Sequence, residues 1–364
     1  MSARHQALLA ELGRANLAGL ALVPGANLDY ILGLSIHPSE RLSVAFFDTH
    51  GAIRMVLPAL EQPRAASEAR LPVQFYTWND SEGFGPALHQ CLSEAALGER
   101  LGVEYTGMRV LELRAIEAVS HVVVEDATPL LARLRMVKDA EEIRAMRAAV
   151  RVVEEGLHAA IEAIRPGVTE REVAAVWEGA MRSAGAEPSF PTIVASGPNS
   201  ANPHHTTGGR AIERGDLVIL DGGARVEGYC SDITRTMAVG DVPEQARAIY
   251  ELVLAANRGG VAAVRPGISG AEIDAAAREI IDRGGFGPRF VHRTGHGLGI
   301  EIHEPPYLHA GEPAPLPEGA TFTIEPGIYL PELGGVRIED DVVIGKEGGH
   351  CLTTFPRELR VLGE

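Results

Sequence analysis

Over roughly the first 128 residues, short apolar runs alternate with segments of helical spacing. The runs "GLALVPG", "LSVAFFDTHG", "IRMVLPAL", "QFYTW", "RLGVEY" and "HVVVEDA" read as strands or strand ends bounded by turns. Between them, "ALHQCLSEAALG" and "MRVLELRAIEAV" place apolar residues at helical spacing, as does the N-terminal "MSARHQALLAELGRANLAGL". Strands interleaved with helices predict an α/β layer domain. The pattern changes at 127–137 and gives way to "VKDAEEIRAMRAAVRVVEEGLHAAIEAI". This is a long amphipathic helix, with Asp139 as its cap and Ile143, Met146, Val150, Val153 and Leu157 on one face. The domain division expected from this change is 1–130 and 131–364.

The second part contains a repeat. "RPGVTEREVAAVWEGAMRSAG" begins at Arg165, and "RPGISGAEIDAAAREIIDRGG" begins at Arg265. Each opens on a Pro-Gly turn, continues into a capping box (Thr169 with Glu172, Ser269 with Glu272) and ends at glycine. Downstream, "ERGDLVILD" aligns with "PEGATFTIE", which pairs Asp221 with Glu325. Asp232 pairs with Glu339 if a longer hairpin loop absorbs a difference in spacing. Two pseudo-symmetric α/β halves are expected, with a site at their junction drawing similar residues from each. The chain as a whole therefore reads as α/β (α+β).

Composition narrows the function classes. Hydrophobic residues make up 45% and charged residues 23%, as in an ordinary globular protein. The net charge of −16 argues against nucleic acid or an anionic membrane as partner, since both call for basic patches. No apolar run reaches the length of a membrane span, and the N-terminus lacks the apolar core of a signal peptide. Cys91, Cys230 and Cys351 are too few and too scattered for a disulfide framework. A reducing cytoplasmic setting is the expectation.

Acids inside apolar strands carry the chemistry. "DLVILDGGARVEGYCSDITRTMAV" reads as a hairpin with Asp221 ending one strand and Asp232 on the return strand. "ATFTIEPGIYLPELGGVRIEDDVVI" repeats the design with Glu325 and Glu339. An unpaired buried carboxylate is costly, so each must reach the surface, meet an arginine or bind a cation. Four of them at duplicated positions favour the cation, and His296 in "HRTGHGLGIEIHE" makes five candidate ligands. Oxygen-rich ligation with one imidazole suits two divalent ions, Mn²⁺ first, with Co²⁺ or Zn²⁺ as alternatives. Such a pair supports hydrolysis. Glycines 295, 297 and 299 are expected to allow close backbone approach around the metals.

The motifs "ILDGGARVEGYCSDITRT", "HRTGHGLGIEIHE", "TIEPGIY" and "GVRIEDDVVI" closely resemble those of the pita-bread metallopeptidases. That family includes prolidase, Xaa-Pro aminopeptidase, methionine aminopeptidase and creatinase. The resemblance implies a creatinase-like N-terminal domain followed by a pseudo-two-fold pita-bread catalytic domain, usually in a homodimer. It implies that Asp221 chelates one metal, that Asp232 and Glu339 bridge both, and that His296 and Glu325 complete the second. It also implies that Glu325 is the catalytic base, that His204 positions substrate in preference to its neighbour His205, and that His303 contacts the scissile amide. Arg337 matches an arginine that orients ligand carboxylates beside the substrate. No ligand role is left for His292, which reads as structural or supporting.

All five ligand positions are present, unlike in creatinase, and a separate N-terminal domain argues against methionine aminopeptidase. An Xaa-Pro dipeptidase is the preferred reading, with Xaa-Pro aminopeptidase as the alternative; the substrate is a small peptide with proline after the scissile bond. A dipeptidase must recognise a free carboxylate, which calls for an arginine. None follows His303 closely, where Tyr307 stands instead. Arg41, in "SERL", is the candidate for that carboxylate. Phe190, Ile193 and Tyr229 are candidate walls for the proline ring.

Overall fold

A computed structural model describes residues 2–95 and 97–363; Met1, Glu364 and Ala96, which lies in the tail of "ALHQCLSEAALG", fall outside the described residues. The chain divides into two compact units, 1–135 and 136–364.

In the first unit, all six apolar runs become strands of one sheet. Their order is Gln74–Trp78, Ile53–Pro58, Val44–Asp48, Gly19–Leu22, Arg100–Val103 and Val123–Asp126. The sheet is mixed, with two antiparallel pairs at its centre and parallel pairs toward both edges. Val44–Asp48 is buried at every position, as an unbroken apolar run on a covered strand should be. Helices Ala3–Arg14, Gly85–Glu94 and Val110–Val119 fall on the segments of helical spacing. A further helix, Thr128–Met136, which the sequence pattern does not separate out, occupies the division between the units.

The second unit begins with the helix Ala140–Ala163. Asp139 accepts from the amides of Glu141 and Glu142, and Glu142 returns a bond to the amide of Asp139. A cap of this kind typically contributes about 1 kcal/mol. Met146, Val150, Val153 and Leu157 are buried and Ile143 partly so. Both repeat helices, Glu170–Ser183 and Gly270–Arg283, carry the expected capping boxes. Gly185 and Gly285 follow them at positive φ, where a side chain would be strained. The repeat also extends upstream, because Glu244–Ala263 packs on Gly270–Arg283 as Ala140–Ala163 packs on Glu170–Ser183.

Two sheets complete the halves. The first orders Val361–Leu362, Ile233–Val239, Leu217–Gly222 and Ile193–Ser196; the second orders Glu304–Leu308, Gly295–Gly297, Thr321–Ile324, Asp340–Gly345 and Gly348–Cys351. Each hairpin is interrupted by a small two-stranded insert. In the first half it is Ala224–Val226 with Tyr229–Cys230; in the second it is the longer Gly327–Leu330 with Gly334–Arg337. This difference absorbs the unequal spacing between the paired acids. The interruption also takes Asp232 out of the strand, just ahead of Ile233–Val239.

The halves are joined by buried polar groups. Arg235 lies on the first return strand, and its Nη2 donates to Asp340 Oδ1 on the second at 2.8 Å, with both side chains about 1% exposed. Its Nη1 donates to the carbonyls of Thr234 and Glu339. No helix among the described residues is long and apolar enough to cross a membrane.

Candidate metal centre

The pseudo-symmetry brings the four acids to one place. Asp221 and Glu325 stand at the C-terminal ends of equivalent strands, and Asp232 and Glu339 stand at the starts of the return strands. His296 is at the centre of Gly295–Gly297. All five line one cavity of about 290 Å³, together with Phe190, Ile193, His204, His292, Arg293, Ile302, His303 and Arg337. Ile193 is there because its strand pairs it directly with Asp221.

Hydrogen bonds fix each donor. The Thr234 hydroxyl donates to Glu339 Oε2 at 2.6 Å, and Arg337 Nη2 donates to Asp221 Oδ2 at 2.5 Å. The Asp232 amide donates to Asp341 Oδ2 at 3.0 Å, and the Glu325 amide donates to the Thr294 carbonyl at 2.8 Å. His296 Nδ1 faces the Gly297 carbonyl at 3.1 Å, so it carries the proton and leaves the Nε2 lone pair toward the acids. That Nε2 lies 3.7 Å from Asp232 Oδ2 and 3.5 Å from Glu325 Oε1.

This arrangement is poorly balanced for protein atoms alone. Burial, reinforced by Glu339, Asp221, Asp341 and Glu325, pushes the Asp232 carboxyl well above the ordinary range. Burial, then Glu325 and Asp221, does the same to Glu339. Burial pushes Glu325 up to about 7 against the opposing field of Arg337. Burial lowers His296 to about 3, so it brings no positive charge. Asp232 Oδ1 is buried without a hydrogen-bond partner. Ligand atoms of Asp232, His296 and Glu339 all lie within 4.8 Å of one another. Crowded carboxylates, an orphaned oxygen and an imidazole lone pair aimed at them fit a divalent metal.

Around these groups runs a supporting chain in which the sequence announces His292 and Arg337 but not Tyr329 between them. His292 Nδ1 is 2.8 Å from the Arg293 carbonyl and therefore protonated, so its Nε2 accepts from the Tyr329 hydroxyl at 2.9 Å. Tyr329 in turn accepts from Arg337 Nη1 at 3.0 Å, and Arg337 holds Asp221. His292 is thus a supporting residue, kept neutral by burial, which lowers its pKa to about 3. Removing an outer hydrogen bond of this kind typically weakens metal binding about 10- to 100-fold. Tyr329→Phe should do so in a calorimetric titration of the metal-free protein with Mn²⁺; unchanged affinity would show the chain to be idle.

The remaining expectations divide. His204 lines the cavity, whereas His205 Nε2 is 2.9 Å from Glu170 Oε2. The His303 ring stands edge-on to His296, with centroids 4.2 Å apart. Phe190 and Ile193 line the cavity, but Tyr229 does not. Its ring is buried among Met146, Leu298 and Leu352, and its hydroxyl donates to Glu142 Oε1 at 2.7 Å. The hydrophobic effect and that hydrogen bond place it behind the site. A Cβ on Gly295 or Gly297 would meet the carbonyls of Thr323 or Pro305, so both glycines admit neighbouring backbone at close range beside the five candidate ligands. Arg41 lies in the N-terminal unit, where Nε and Nη2 donate to Asp80 at 3.0 and 2.8 Å. Arg293, which the sequence reading passes over, lines the cavity and stacks 4.3 Å from the Tyr307 ring centroid. A signal for it existed, since it is the one arginine inside "HRTGHGLGIEIHE".

Comparison with known proteins agrees with this construction. Residues 144–346 match Metallopeptidase family M24, and residues 4–137 match the Creatinase/Prolidase N-terminal domain. The chain belongs to the M24 metallopeptidases, with a creatinase-like first domain and a pita-bread second domain. It is 42% identical over 306 residues to an Xaa-Pro dipeptidase of Pyrococcus furiosus, covering 84% of this chain and 85% of the relative. A dipeptidase structure from Pyrococcus horikoshii superposes with a TM-score of 0.93 at 40% identity, over 99% of this chain and 100% of that one. A prolidase structure from Thermococcus sibiricus gives 0.92 at 38% identity, over 99% and 98%.

Proposed function

We propose that this chain hydrolyses the peptide bond preceding proline in Xaa-Pro dipeptides. The observation that carries this reading is the convergence of Asp221, Asp232, His296, Glu325 and Glu339 in one cavity of about 290 Å³. Relatives named Xaa-Pro dipeptidase, at 37–42% identity over most of the chain, support it. The volume is at the small end for ligand sites, which suits a dipeptide.

Those five residues would hold two divalent ions, manganese by preference, with cobalt or zinc as alternatives, because the donor set is oxygen-rich with one imidazole. Bound there, such ions lower the pKa of water and polarise a carbonyl. Glu325 is the carboxylate placed to take a proton from the attacking water and return it to the prolyl nitrogen. His303 and His204 approach the scissile group from the cavity wall. The prolyl nitrogen has no hydrogen in the substrate, so selection falls to shape, with Phe190, Ile193 and Ile302 offering apolar walls. A cytoplasmic protein acting on small peptides, homodimeric as the family resemblance implies, completes the proposal.

Arg293 supplies the carboxylate recognition that a dipeptidase requires. It is a cation in the cavity, no ion pair with an acid engages it among the described residues, and stacking on Tyr307 orders it before substrate arrives. A hydrogen bond between charged groups is worth roughly 1.5–3 kcal/mol, so Arg293→Ala should raise KM for Ala-Pro about 10- to 100-fold. Ala-Pro-amide, which lacks the carboxylate, should change little. Equal losses on both substrates would remove Arg293 from this role. Arg41→Ala is the comparison variant. Arg41 keeps its proposed share of the carboxylate only if its loss also discriminates between the two substrates.

A further inference from the structure

We infer that Glu170 is a positioning residue that sets His204 in the catalytic cavity. The inference rests on the reading of His204 as a substrate contact.

Glu170 is the first residue of the helix Glu170–Ser183, where an acid ordinarily faces water and favours the helix dipole. Here it is 0% exposed, and the cap of its own helix is made by Thr169 and Glu172 instead. Its carboxylate reaches the segment 196–208. Oε1 accepts from the Ser196 amide at 2.8 Å, the Ser196 hydroxyl at 2.8 Å and Asn199 Nδ2 at 2.9 Å. Oε2 accepts from His205 Nε2 at 2.9 Å and the Gly208 amide at 3.2 Å. One oxygen therefore holds the start of the segment and the other holds its end, with His204 between them.

The backbone strengthens the tie. The Glu170 amide donates to the Arg210 carbonyl and the Arg171 amide to the Gly208 carbonyl, both at 3.0 Å. Burial works against charge on Glu170, but the donors from Asn199, His205 and Ser196 outweigh it and hold its pKa below the ordinary value. An ionised carboxylate only accepts, so His205 carries its proton on Nε2. With the His205 ring turned to Glu170, its neighbour His204 is the one that lines the cavity. A glutamine at position 170 would set an NH₂ group against donors on one side and loosen one end of the segment.

The test is a double-mutant cycle on Ala-Pro hydrolysis at saturating Mn²⁺. Glu170→Gln should lower kcat/KM on the order of 10- to 100-fold, as expected for a misplaced contact group, with metal content unchanged. Combined with His204→Ala, it should add less than about 2-fold, because the two act through one side chain. If His204→Ala itself is harmless, the reading of His204 fails and the inference falls with it. If His204→Ala is damaging and the Glu170→Gln loss multiplies with it, the reading of His204 stands and the inference is overturned. Should Glu170→Gln not fold, His205→Ala removes one of the five bonds and is judged by the same coupling to His204.

Discussion

Stripped of divalent metal, the protein loses peptide hydrolysis and melts at a lower temperature, and added Mn²⁺ restores both. The cause lies in the crowding of Asp221, Asp232, Glu325 and Glu339 around a neutral imidazole. An ion that binds only the folded state stabilises it by about 2.7 kcal/mol at a concentration 100 times its Kd. In a unit of this size each 1 kcal/mol moves the melting temperature about 2–4 °C, so the shift should be plain in calorimetry. The sign of the pH response follows as well. The raised carboxyl pKa values of Asp232, Glu339 and Glu325 mean that the unfolded chain ionises these groups at lower pH than the fold does. They therefore weaken the metal-free fold above the ordinary carboxylate range, and the weakening fades as pH falls from their raised pKa values down to that range. For Glu325 the weakening grows with pH until about 7. Identical melting and activity with and without chelator would contradict the assignment.

Asp232→Asn separates the two effects. Its Oδ1 has no partner and its charge is opposed by burial and by four neighbouring acids, so in the metal-free protein this side chain is a liability. An amide of the same shape relieves the repulsion. The metal-free variant should melt above the metal-free parent, by about 2–4 °C for each 1 kcal/mol relieved. Yet it should gain little from Mn²⁺, and its kcat/KM for Ala-Pro should fall at least 10²-fold, because the binding group is gone. Local destabilisation retained for function is a familiar trade. If the metal-free variant melts lower than its parent, Asp232 is a structural acid satisfied by protein, and the account of the cluster is wrong.

The candidate metal donors were legible because duplication marks them. Asp221 and Glu325, or Asp232 and Glu339, would each be unremarked alone in an apolar strand; as equivalent positions in a repeated hairpin they are not. The strands of the first unit were legible for a simpler reason, since covered strands are written as unbroken apolar runs. Contacts between distant residues were less visible. Tyr229 beside an apolar run could wall a pocket or cap a helix acid, and only the fold shows that Glu142 takes its hydroxyl. Arg41 meets Asp80 across 39 residues. Glu170 looks like any first-turn acid until the segment carrying His204 is folded over it. Arg293 was readable as a basic residue in a glycine-rich motif, but its stacking on Tyr307 was not.

The most direct measurement is hydrolysis of Ala-Pro and Ala-Ala by one Mn²⁺-loaded preparation whose metal content has been counted. Cleavage of Ala-Pro with Ala-Ala at least about 10-fold slower is the predicted result, since the proposed apolar walls select the proline ring by shape. Comparable cleavage of Ala-Ala, or no cleavage of Ala-Pro by the loaded enzyme, would contradict a peptidase selective for the bond before proline.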